Sequence, residues 1–119
     1  MAPPFVPEPA LMRRLVAEHG APLLLLSTQA VRQQYRTLSR ALPGVQLHYA
    51  LKPLPHPAVV KALHEEGSYF DLATNGEVDV VRAAGVEPAR CIHTHPIKRD
   101  GDIDYALRYG CRTRRWSRR

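Results

Sequence analysis

The sequence predicts an α/β fold in which short parallel strands alternate with helices. Three observations lead there. Apolar runs of strand length recur at 45–51, 69–72 and 91–94, and each is followed by apolar residues at helical spacing. The strand–helix unit repeats roughly every twenty residues. Gly67, Gly85 and Gly110 stand where each helical stretch stops, and a C-terminal cap favours the residue that takes positive φ most freely. Parallel strands joined by helices imply right-handed crossovers.

The elements follow in order. The first eight residues are proline-rich and read as irregular. A helix is expected from Pro9, suited to a first helical position, to His19, with Gly20 as its stop and Leu11, Leu15 and Val16 as its apolar stripe. Leu23 to Leu26 reads as a buried strand. Thr28 is the expected N-cap of the next helix, in which Val31, Tyr35, Leu38 and Leu42 share one face before Pro43-Gly44 ends it. The strand 45–51 leads to a helix from Pro57 to Glu66 with Val59, Val60 and Leu63 inward. Tyr69 to Leu72 is the second regular strand, and its helix carries Val78, Val81 and Ala84. A third strand, Cys91 to Thr94, precedes a loop and a helix capped by Asp100 with Ile103, Ala106 and Leu107 inside. A fourth strand begins at Cys111. An open doubly wound sheet and a (β/α)8 barrel both accommodate this series; a barrel needs eight strands and roughly 250 residues.

With 119 residues and 45% hydrophobic side chains, the chain suits one soluble core. The clearest apolar run, Ala21 to Leu26, is far too short to span a membrane, and Met1-Ala2-Pro3-Pro4 does not open a secretory signal, so a cytoplasmic location is expected. The net charge of +6 is concentrated in Arg112, Arg114, Arg115, Arg118 and Arg119; the rest of the chain is close to neutral. No basic stripe interleaves with aromatics, so nucleic acid is not an expected partner, and the tail is read as solvated. Cys91 and Cys111 lack zinc-ligand spacing and read as buried free thiols. No metal site is expected.

Lys52 carries the chemistry. It closes the strand Val45 to Leu51 and is followed by Pro53-Leu54-Pro55-His56-Pro57, which cannot extend a ladder. Such a lysine either snorkels to solvent or is desolvated and neutral, and so a nucleophile for a carbonyl. Asp71, His93, His95 and Lys98 also fall at or just after strand ends, where parallel α/β folds place their sites. Asp71 reads either as a partner of Lys52 or as a loop and capping residue. Glu77 suits a helix N-terminus. His93 and His95, two apart, would share a strand face as a possible metal pair, although two ligands without a third are weak support. His95 reads as a loop histidine or a stacking or hydrogen-bonding group, and Lys98 as a solvated loop lysine or a phosphate contact.

The segment from about Val45 to Thr113 resembles the N-terminal barrel domain of the fold-type III pyridoxal-phosphate decarboxylases acting on ornithine, lysine, arginine or diaminopimelate. Tyr49-Ala50-Leu51-Lys52 looks like the family's Tyr-Ala-x-Lys signature. Phe70-Asp71-Leu72-Ala73-Thr74-Asn75-Gly76-Glu77 is similar to its Phe-Asp-x-Ala-Ser-x-x-Glu segment, and Thr94-His95-Pro96-Ile97-Lys98 to the Asn-Pro-x-Lys stretch of the ornithine and lysine branch. Pro53-Leu54 departs from the usual Ala-Asn after the lysine, and nothing here resembles the run that follows the lysine in alanine racemases.

The resemblance implies a partial (β/α)8 barrel of the TIM type, with about three βα units behind a helix–strand–helix lead-in. It divides the chain into a lead-in over 1–44, a partial cofactor-binding barrel over 45–113 and a basic, disordered tail over 114–119. It implies pyridoxal 5'-phosphate as cofactor, Lys52 as its Schiff-base lysine, Asp71 and His95 as further cofactor contacts, an amino-acid substrate, and a homodimer for full-length members. Five arginines in the last eight residues do not continue a barrel strand, and a truncated or frame-shifted reading accounts for them. The expectation is an N-terminal decarboxylase fragment, inactive alone, with a non-catalytic cofactor carrier or partner-binding remnant as the alternative.

Overall fold

The structure is a computed structural model that describes residues 5–113, with the side chain of Thr113 left aside; the expected disordered tail over 114–119 lies outside the described residues. Four strands, β1 (His48–Ala50), β2 (Tyr69–Leu72), β3 (Cys91–His93) and β4 (Arg112–Thr113), form one sheet in the order β1-β2-β3-β4. Every neighbouring pair is parallel. The connections run through helices α3 (Pro57–Glu65), α4 (Asn75–Ala83) and α5 (Asp100–Tyr109), with a 3-10 turn at Pro88–Arg90 before β3. Two further helices, α1 (Pro9–His19) and α2 (Thr28–Ala41), precede the sheet. This is part of a (β/α)8 barrel, as expected.

The core lies between one face of the sheet and the helices. Leu51, Phe70, Leu72 and Cys91 are fully buried there against Val60, Val78, Val81 and Ala106. Alternation along β2 sends Phe70 and Leu72 to this side and Tyr69 and Asp71 to the other. The register His48↔Tyr69, Ala50↔Asp71 and Asp71↔Ile92 therefore aligns His48, Ala50, Asp71 and Ile92 on the opposite face, the one a barrel turns inward. Gly67 and Gly85 follow α3 and α4 at φ 86° and 73°, a region that costs a side-chained residue.

The lead-in departs from expectation. Residues 23–26 form no strand, and Leu24 is 86% exposed. An apolar run becomes a strand only beside another strand, and the sheet order gives this segment no partner among the described residues. The lead-in is thus helix, irregular segment, helix. The stripe of α1 is not buried, with Leu11 and Val16 exposed. In α2, Val31 and Tyr35 pack on the core, whereas Leu38 and Leu42 stay exposed.

Two caps shift by one residue. Ser27, not Thr28, caps α2, its hydroxyl accepting from Ala30 N at 3.1 Å. Arg99 rather than Asp100 occupies the N-cap of α5, and Asp102 accepts from the Arg99 backbone N–H at 3.3 Å. Leu107 is 52% exposed instead of inside, because Tyr105 and Tyr109 pack on the core beside Ala106 and the Tyr109 hydroxyl donates to Val86 C=O. Among the described residues, no helix is long and apolar enough to cross a membrane.

Candidate functional site

Every strand of a parallel sheet ends on the same edge, so the segments after β1, β2 and β3 meet there. A cleft of about 180 Å³ opens at that edge, lined by Ala50, Lys52, Asp71, Ala73, Thr94 and His95 among others. The three expected cofactor contacts, Lys52, Asp71 and His95, thus come from three successive strand ends into one cleft.

The turn that carries Lys52 is held on both sides. Leu51 is fully buried and donates its N–H to Asp71 C=O at 3.1 Å. Leu54 N–H returns to Leu51 C=O at 3.0 Å, and the Tyr49 hydroxyl donates to Leu54 C=O at 2.9 Å. The tyrosine of Tyr-Ala-Leu-Lys therefore ties the lysine's turn, a part that motif reading left unassigned. Lys52 itself is exposed, so of the two readings it is the lysine that reaches solvent that is seen. The strand ends form one open wall of the cleft, and the ammonium stands on its solvent side.

Asp71 is half-buried in β2, and its Oδ1 accepts from the Thr94 hydroxyl at 2.6 Å. It does not cap α4; Thr74 does, accepting from Glu77 N at 3.2 Å. Glu77 is 6% exposed and its carboxylate accepts from Ala73 N at 2.7 Å, so this acid is spent on the helix start.

His95 is half-buried, with Nδ1 within hydrogen-bond distance of both Ile97 N (3.1 Å) and Ile97 O (2.6 Å). His93 does not join it. It is buried on the helix-facing side of the sheet, and neither ring nitrogen has a hydrogen-bond partner among the described residues. Burial, then the positive charges of Lys98 and His95, hold its pKa below the ordinary imidazole value. The expected shared face of His93 and His95 is absent because the strand ends at His93 and the chain turns toward the cleft. Among the described residues, no three His, Cys, Asp or Glu side chains gather where a metal ion could bind.

Lys98 is not a solvated loop lysine. Its ammonium donates to His93 C=O at 2.8 Å, tying the loop that carries His95 to the end of β3, and burial lowers its pKa. Cys91 and Cys111 are buried free thiols; burial, with the neighbouring cysteine second, pushes Cys91 up to about 12, and burial pushes Cys111 up to about 11. Neither is poised as a nucleophile.

The cleft thus gathers an amine, a carboxylate and an imidazole from three strand ends.

A solved structure of lysine/ornithine decarboxylase from Vibrio vulnificus, complexed with putrescine, superposes with a TM-score of 0.84 at 61% identity, over 86% of this chain and 28% of that one. Antizyme inhibitor 2 of Xenopus laevis is 41% identical over 80 residues, covering 67% of this chain and 17% of the relative. Diaminopimelate decarboxylase of Methanothermobacter thermautotrophicus is 36% identical over 102 residues, 82% of this chain and 24% of its own length. The chain thus spans about a quarter of the length of such relatives. The model of the pyridoxal-dependent decarboxylase pyridoxal-binding domain matches residues 28–114, and the chain belongs to that family.

Proposed function

We propose that this chain is the pyridoxal-binding part of a cytosolic basic amino-acid decarboxylase of the ornithine/lysine type, with Lys52 as its Schiff-base lysine. The observation that carries the reading is the cleft in which Lys52, Asp71 and His95 converge from three strand ends. Pyridoxal phosphate, when bound, supplies the electron sink for the charge left as carbon dioxide departs. Lys52 offers the amine that takes the cofactor's carbonyl. The Asp71 carboxylate lines the same cleft as a further contact for the cofactor. His95, with Nδ1 engaged by the Ile97 backbone, keeps Nε2 for a ligand. The full-length protein works as a homodimer on an amino-acid substrate. A chain with about a quarter of its relatives' length carries only some of the strand ends such a site needs, so alone it is inactive.

A second reading has one specific support, the match to an antizyme inhibitor: the chain would serve as a partner-binding module or cofactor carrier without turnover. One pair of measurements separates these. Adding pyridoxal phosphate to the purified chain is expected to give a protein-bound absorbance band that Lys52→Ala abolishes and Lys61→Ala leaves. The full-length protein is expected to release carbon dioxide from ornithine or lysine, and Lys52→Ala to reduce that to background. A cofactor band without carbon dioxide release from the full-length protein would favour the carrier; no band at all would overturn Lys52.

A further inference from the structure

We propose that Lys98 is a positioning residue: by tying the loop after β3 back to the end of that strand, it sets the His95 ring in the cleft. The inference rests on the reading of this cleft as the cofactor site. It starts from how His95 itself is held. Its Nδ1 lies within hydrogen-bond distance of Ile97 N (3.1 Å) and Ile97 O (2.6 Å), so both contacts stay inside the loop. They fix the ring relative to the loop and leave its place in the cleft to the loop's own anchors. The apex contributes little: Pro96 has no N–H to donate, and Ile97 is 80% exposed.

Two residues supply the anchors. Before His95, the Thr94 N–H continues the ladder to Leu72 C=O at 3.1 Å, and its hydroxyl donates to Asp71 Oδ1 at 2.6 Å. After His95, the half-buried Lys98 reaches back five residues and donates its ammonium to His93 C=O at 2.8 Å. The chain from 93 to 98 is thereby closed into a ring that contains His95. A charged donor makes a stronger tie to a carbonyl than a neutral one. Burial, the largest influence, lowers the Lys98 pKa, and Cys111 and then Asp71 act against it, so the ammonium lies within electrostatic reach of a carboxylate of the cleft. Lys98 stands behind the cleft, whose lining takes Thr94, His95 and Pro96 from this loop. Beyond it the chain is held separately, the Arg99 N–H donating to Asp102 at 3.3 Å at the start of α5. Without the Lys98 bond, the loop would pivot between Thr94 and Arg99 and carry the His95 ring with it.

The test reads the accessibility of His95 in the purified chain. Diethyl pyrocarbonate modifies accessible imidazoles, and peptide mass spectrometry gives the ratio of His95 to the exposed His19. Lys98→Met keeps the stem and removes the donor; it is expected to raise that ratio about three- to tenfold, the worth of one net hydrogen bond in a local equilibrium. The buried His93 should stay unmodified, since only the loop is released. Lys98→Arg, which keeps a charged donor, should restore the wild-type ratio. An unchanged ratio in Lys98→Met, or no restoration by Lys98→Arg, would overturn the proposal. If Lys98→Met also labels His93, the fold has opened and Lys98→Ala is read in its place; His93 labelled there too would overturn the proposal as well. A parallel absorbance titration with pyridoxal phosphate reports separately on the cofactor. Lys98→Met is expected to weaken binding about threefold or more, and to add nothing in a His95→Ala background. A loss that persists without His95 would mean that Lys98 acts on the cofactor itself, against the positioning role. If His95 labelling responds and the affinity does not, the cofactor reading of His95 fails and the positioning of its ring stands.

Discussion

Thr74 and Glu77 show how one side chain can serve structure while sitting inside a motif that suggests chemistry. Thr74 caps α4 and Glu77 closes the turn through Ala73 N–H, which satisfies donors that a helix start otherwise leaves bare. Thr74→Ala is expected to cost about 1 kcal/mol in a urea titration. His93 makes a different kind of prediction. Burial holds its pKa below the ordinary 6.5, with Lys98 and His95 acting in the same direction and Asp102 and Glu77 opposing. Below pH 6.5 the unfolded chain takes up a proton that the folded one refuses, so stability falls as the pH drops from 6.5 toward the folded value. The slope is at most about 1.4 kcal/mol per pH unit. His93→Phe should flatten that loss between pH 7 and 5; an unchanged pH dependence would contradict the account. At this scale the sequence makes Glu77 legible as a helix-start acid but leaves the Thr74 cap unassigned. The burial of His93 was not legible, because the face a residue takes depends on where its strand ends.

Among elements, the contact of α2 with α3 is set by ions as much as by packing. Arg36 grips Glu66 with two nitrogens at 2.6 and 2.7 Å, and Arg32 reaches both Glu65 and Glu66 and also donates to Ala62 C=O at 3.1 Å. Arg36, with Arg32 behind it, holds the Glu66 carboxyl below its usual 4.5. The sign follows directly: the stabilisation is complete above 4.5 and is lost as the pH falls through the lowered value. Glu66→Gln should therefore destabilise the chain near neutrality and converge with the wild type in acid, read as denaturant midpoints across pH. The regular units were legible because each helix and strand announces itself over a few residues: the ends of β2 and the stops at Gly67 and Gly85 fall where the pattern put them. Residues 23–26 were misread since their apolar character is local while strand pairing is not. The Thr94–Asp71 bond escaped for the same reason, being visible only once the register of β2 and β3 is known.

For the whole molecule, stability rests on one helix-facing layer centred on Phe70, which is fully buried. Phe70→Ala is expected to cost roughly 3–5 kcal/mol, enough to unfold a chain of this size or leave it marginal, as read by thermal denaturation. The opposite face of the sheet holds the cleft at its strand ends, so core and site occupy different sides of the same four strands. That division makes a site variant such as Lys52→Ala a test of chemistry with little effect on folding, since Lys52 is exposed. The central claim is that Lys52 is the residue that takes pyridoxal phosphate. The most direct measurement incubates the chain with the cofactor, reduces it with borohydride and maps the labelled peptide. The account predicts a phosphopyridoxyl group on Lys52, lost in Lys52→Ala. Label spread over exposed lysines such as Lys61, or none on Lys52, would contradict it.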